Sequence, residues 1–146
     1  MRHLLLLLLP TALRAQYVMV TPPDKQPRVE LDTTRMVVAD ASLLVWFRWE
    51  GAPADTTLAG KHYVTRVERS AIRCDAEEIA GVADFYYNGD GAMVDSYDYT
   101  NAPRRWSSVP PGSYFEAQVR TACRVAKRKG LRPLAPNGVK DLSVGR

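Results

Sequence analysis

Apolar and polar positions alternate with a period of two over most of this chain, then switch to a helical period near its end. Tyr17 to Val20 is a short β-prone run, broken by three prolines between Thr21 and Pro27. Val29-Glu30-Leu31-Asp32 alternates strictly and predicts a strand. Met36 to Val38 predicts a second short run, and Asp40-Ala41-Ser42 reads as a turn. Leu43 to Trp49 (LLVWFRW) is β-branched and aromatic, which favours a strand. Gly51 to Gly60 reads as a polar loop around Pro53.

In His62 to Cys74, Val64, Ile72 and Cys74 share one parity while Tyr63, Val67 and Ala71 share the other. This predicts a long strand with a bulge, or two short ones. Ile79 to Tyr87 and Ala92 to Tyr99 flank Asn88-Gly89-Asp90-Gly91, a hairpin signal whose turn positions call for φ > 0. Asn101 to Gly112, with three prolines and Trp106, reads as a loop. Ser113 and Glu116 then form a capping box. Phe115, Val119, Ala122 and Ala126 recur on one helical face, with Cys123 on its flank. Lys127, Arg128 and Lys129 suit the negative end of the helix dipole, and Gly130 is placed at the C-cap. A helix is therefore expected from about Tyr114 to Lys129. Strands followed by one helix define an α+β fold: a single domain with a largely antiparallel sheet of about six strands and a C-terminal helix packed on it.

The first residues alter the charge count. Arg2 and His3 precede an unbroken leucine run from Leu4 to Leu9, and Leu13-Arg14-Ala15 offers a small residue for cleavage. This is the pattern of a secretory signal peptide over residues 1–15. The run is far short of the roughly 20 apolar residues of a membrane span. Gln16, not a cysteine, stands immediately after the cut, so lipid attachment at a new N-terminal cysteine is not expected. The domain is expected over 16–130, and 131–146, with Pro133, Pro136 and Gly138, as a poorly ordered tail. The chain carries 20 Lys+Arg against 16 Asp+Glu, a net +4. Arg2 and Arg14 leave with the signal, so the remainder is nearly balanced and gives no reason to expect nucleic-acid binding.

Cys74 and Cys123 both lie in the exported part, where an oxidising compartment makes a disulfide the default. Two cysteines and the one remaining histidine, His62, do not complete a zinc site without a carboxylate. His62 has no Gly-x-Ser-x-Gly elbow to serve, and ribonuclease-type chemistry needs a second histidine. Asp84, Asp95, Asp98, Glu77 and Glu78 could serve glycoside hydrolysis or calcium binding. Alternation in a one-sided sheet accounts for them as solvated positions. No enzyme activity and no cofactor is expected. Two candidate binding surfaces stand out: the tyrosines of the hairpin, Tyr86, Tyr87, Tyr97 and Tyr99, and the basic helix residues Arg120, Arg124, Lys127 and Arg128, with Arg104-Arg105 just upstream.

Five features in sequence order resemble the surface-adhesin protein E-like family of bacteria: VELD at 29–32, the LLVWFRW strand, a strand ending in Cys74, the YYNGDGAMVDS hairpin, and RRWSSVPPGSYFEAQVRTAC. The last carries Trp106, Pro111-Gly112-Ser113 and Cys123. The resemblance covers roughly Tyr17 to Lys129. It implies an antiparallel sheet flanked by a helix bridged to it through Cys74–Cys123, an envelope location, and adhesion to host extracellular proteins. Known adhesins of this kind are often lipid-anchored, and the shared residues are structural ones. The expected function is an exported, non-enzymatic binding module that contacts an extracellular or envelope macromolecule. It would be secreted, periplasmic or on the cell surface. The alternative is a periplasmic accessory protein that binds envelope components through the basic helix. Salt dependence separates contacts made by the helix from contacts made by tyrosines.

Overall fold

The computed structural model describes residues 17–133, and within them the side chains of residues 52–54 are left aside. The expected signal peptide and most of the tail lie outside the described residues. Seven strands and one helix follow one another: β1 (Tyr17–Met19), β2 (Arg28–Ala39), β3 (Ser42–Thr56), β4 (His62–Arg73), β5 (Glu78–Tyr87), β6 (Met93–Asp98), β7 (Ser107–Ser108) and α1 (Tyr114–Arg128). The sheet is antiparallel throughout, and β1 to β6 lie side by side in chain order. β7 pairs with the start of β5, on residues that β6 leaves unpaired.

Alternation along β3 explains the two faces. Leu43, Val45 and Phe47 are almost fully buried and pack with Val29, Leu31, Ile72 and Ile79 against Val119, Ala122, Val125 and Ala126 of α1. The intervening residues point to the opposite face. There Leu44, Ala71 and Val82 form a small second cluster beneath Trp106. Arg73 lies 3.9 Å over the Trp106 ring and donates to Glu78 at 3.2 Å.

The helix begins as the capping box requires, with one change. Ser113 Oγ accepts from the Glu116 N–H at 3.1 Å, but Glu116 Oε2 accepts from the N–H of Gly112 rather than of Ser113. Ser113 N–H is already committed to Pro110 O. At the other end Gly130, at φ +69°, donates to Lys127 O while Leu131 N–H reaches Ala126 O. This is the Schellman arrangement, and Leu131 packs on the core. The disulfide Cys74–Cys123, with Cα atoms 5.7 Å apart, ties the end of β4 to the middle of α1.

Several expectations are corrected. Val29–Asp32 and Met36–Val38 belong to one strand, because a register shift between Asp32 and Val37 lets β2 continue. The polar segment after Gly51 is not a loop as far as Gly60. Gly51 takes φ +71°, and a Cβ there would lie 2.3 Å from Gln26 Oε1. The chain bulges at that point and resumes pairing at Asp55↔Tyr63 and Thr56↔His62. The β5–β6 connection has five residues, since Tyr87 pairs with Met93. Of its residues only Gly91 has a positive φ, and Asn88 Oδ1 closes the turn by accepting from Asp90 and Ala92 N–H. The proline-rich loop before α1 contains the short strand β7. Finally, Phe115 is exposed at the edge of the helix, and the fully buried Gln118 occupies the inner face instead.

Candidate functional site

Beyond the N-terminus of α1, the helix side of the sheet changes from apolar to polar and aromatic. Register places Phe47, Glu68, Asp84 and Tyr97 in one cross-strand row and Trp49, Arg66, Tyr86 and Asp95 in the next. Glu68 is only 3% exposed. Its carboxylate accepts from Trp49 Nε1 at 2.9 Å and from Ser70 Oγ, and it pairs with Arg66 at 3.4 Å. Arg66 also donates Nε to Asp84 at 2.8 Å and lies over the rings of Trp49 and Tyr86. Burial works against its charge, but Glu68 and Asp84 outweigh that and raise its pKa.

Tyr63, Tyr86 and Tyr97 continue this cluster as an edge-to-face ladder, with centroids 4.7 and 5.8 Å apart. Burial, followed by the nearby Asp84 charge, pushes the Tyr86 phenol up to about 12. Burial and the hydrogen bond to Asp55 raise Tyr63. Tyr97 donates to Asp95, whose pKa is lowered chiefly by a hydrogen bond from Thr57. Asp98 is lowered by hydrogen bonds from Thr100. Asp84, Asp95 and Asp98 thus each have their own partners. Among the described residues no group of three or more His, Cys, Asp or Glu side chains could hold a metal ion. His62 is exposed at the start of β4.

The face away from α1 is open, with no helix over it among the described residues. A groove of about 470 Å³ runs along it. Tyr17, Trp46, Arg48, Val64, Val67 and Tyr87 line it, and the Asn88–Gly91 turn closes one end. Trp46 is the centre of its aromatic chemistry. Phe85 stacks on it at 6.0 Å, and the guanidinium groups of Arg35 and Arg69 lie 5.9 and 5.6 Å from its ring. Arg35 is held by Asp32 at 3.2 Å, and Arg48 pairs with Glu50.

The predicted tyrosines therefore divide. Tyr86 and Tyr97 belong to the helix-side ladder, and Tyr99 follows β6 at the mouth of a small pocket with Gly81, Pro103 and Arg105. Tyr87 alone lines the open groove. On α1, Arg120 pairs with Glu116 at 2.6 Å, whereas Arg124, Lys127 and Arg128 are exposed. Sequence reasoning missed Trp46, Arg35 and Arg48 as site residues. For Trp46 and Arg48 the signal was the parity of LLVWFRW, in which they alternate with the buried Val45 and Phe47.

The chain thus presents an open antiparallel sheet with a Trp–Arg–Tyr groove on one face and a disulfide-tied helix on the other. The family model for surface-adhesin protein E matches residues 17–124, and the chain belongs to that family. Solved structures are similar to it as well. Crystal form II of Haemophilus influenzae protein E aligns with TM-score 0.53 at 10% identity, over 79% of this chain and 92% of that one. A second structure of Haemophilus influenzae protein E aligns with TM-score 0.51 at 11% identity, over 79% and 89%. At such identities the likeness is one of fold. No curated protein sequence matches the chain.

Proposed function

We propose that this protein is an exported, non-enzymatic binding module of the bacterial cell surface, and that it contacts an extracellular protein through the open face of its sheet. The observation that carries this reading is the Trp46 groove. Tryptophan, tyrosine and arginine are the residues in which interface binding energy concentrates, and here Trp46, Tyr87, Tyr17, Arg35 and Arg48 share one concave surface. A planar indole flanked by guanidinium groups offers apolar area and charge at low cost in side-chain ordering. Membership in a surface-adhesin family supports the location, and the secretory pattern of residues 1–15 supports export. The pairing of Asp84, Asp95 and Glu68 with structural partners supports a role other than acid–base catalysis.

Protease treatment of intact producing cells tests the reading, with a known periplasmic protein as leak control. Digestion of this domain while the control stays intact is the expected result. Protection from the protease, together with absence from the culture medium, would confine the domain to the periplasm and overturn the surface assignment.

A further inference from the structure

Two features meet at the C-terminal end of α1. The first is charge. From Tyr114 to Pro133 there are six basic residues and a single acid, Glu116, which is already paired with Arg120. Lys129 Nζ donates to the Thr33 carbonyl at 2.6 Å. Arg124, Lys127, Arg128 and Arg132 remain exposed on a segment that carries no further acid.

The second feature is a groove of about 420 Å³ beside the disulfide. Cys74, Cys123, Ala126 and Leu131 give it an apolar floor, and the turn residues Ala41 and Ala76 extend its walls. Lys127 and Arg132 line the same groove. Arg73 borders it too, but its guanidinium is engaged by Glu78 and Trp106. Asp75 is the one acid there.

We propose that this end of α1 is a docking site for an anionic lipid, with Lys127 and Arg132 taking the headgroup phosphate and the groove taking hydrocarbon. Charge complementarity calls for an anion, and the apolar floor selects among anions. A sulfated glycan or an acidic protein segment would satisfy the cations and leave the Cys123–Leu131 floor wet. A phospholipid offers phosphate and hydrocarbon in one molecule, matching a basic rim around an apolar cleft. The site lies on the helix side, away from the Trp46 groove, so both surfaces can be engaged at once. It does not depend on what the open face binds.

The test is co-flotation of the full-length protein with phosphatidylcholine vesicles, with and without phosphatidylglycerol, and with soluble heparin as a competing polyanion. Binding is expected only to the phosphatidylglycerol vesicles, weakening as salt rises because exposed charges are screened over about 8 Å at physiological ionic strength. Lys127→Gln with Arg132→Gln should weaken it about thirtyfold, at about fivefold per cation near an anionic surface. Ala76→Trp fills the groove from an exposed turn position, so it should lower vesicle binding while leaving heparin binding unchanged. Thermal unfolding of each variant serves as the fold control. Failure of the native protein to float with phosphatidylglycerol vesicles would overturn the proposal. Flotation that is indifferent to Ala76→Trp and abolished by heparin would also overturn it, in favour of a glycan surface.

Discussion

The indole N–H of Trp49 donates to Glu68 Oε2 at 2.9 Å, joining β3 to β4 where Tyr114 and Phe115 of the first helical turn pack edge-on against the same indole. One carboxylate thus organises the end of the core. It also accepts from Ser70 and pairs with Arg66. Glu68→Ala should lower stability by about 3 kcal/mol, since it leaves Ser70 and the indole N–H without their acceptor and Arg66 with Asp84 alone. Trp49→Phe keeps one aromatic ring but loses the hydrogen bond to Glu68 and part of the indole's packing, so about 2 kcal/mol is expected. Urea unfolding of both variants checks the order. Equal losses would show that the carboxylate has no organising role.

The disulfide closes a loop with a sequence separation of 49. Chain entropy then gives about 4 kcal/mol of stabilisation. Cys74→Ser should lower the unfolding midpoint accordingly. Adding a reductant to the native protein should reproduce that shift and leave the variant unchanged. Hydrogen exchange should rise first in α1, which the bridge anchors.

Tyr86 has its phenol pushed up from 10.0 to about 12, first by burial and then by Asp84. A group whose folded pKa is raised stabilises the fold fully below its ordinary value, and that contribution fades as pH climbs through the raised one. Stability should therefore fall between about pH 10 and 12. Ultraviolet titration should show a late phenolate phase. Tyr86→Phe should shrink that phase and flatten the stability loss. A full-amplitude late phase in the variant would assign it to Tyr63 instead.

Trp46 is only partly buried, so its removal perturbs the open face more than the core. Trp46→Ala should reduce binding of the displayed domain to immobilised extracellular-matrix protein by at least tenfold, the scale of an interface hot spot. Arg120→Ala, on the opposite side, should leave that binding unchanged. Equal binding by the Trp46 variant would remove the groove from the contact.

Much of the fold was legible in local pattern. The helix announced itself through Ser113, Glu116 and Gly130, and the β5–β6 hairpin through the Asn88–Gly91 turn between two β-prone runs. What stayed hidden is what depends on distant neighbours. The strand identity of Asp55 and Thr56 comes from pairing with Tyr63 and His62, not from their own propensity. Ser107–Ser108 are strand only because β6 leaves the start of β5 free. Phe115 keeps the helical spacing, yet it stays half-exposed at the helix edge, because it packs edge-on against Trp49 rather than into the apolar core. The candidate surfaces were legible as residue types but not as places. Composition groups the four tyrosines, whereas strand parity sends Tyr87 to one face and Tyr86 to the other.

The strand order carries a consequence for biogenesis. Because β1 to β6 are neighbours in chain order, each strand can pair with its predecessor as the polypeptide emerges from its N-terminus, without threading past later segments. The helix comes last. Until residues 114–128 are made, the inner apolar row of Val29, Leu31, Val45, Phe47 and Ile72 has no cover. A nascent chain stopped before α1 would be a paired but sticky half-sandwich, the kind of intermediate that holdase chaperones recognise.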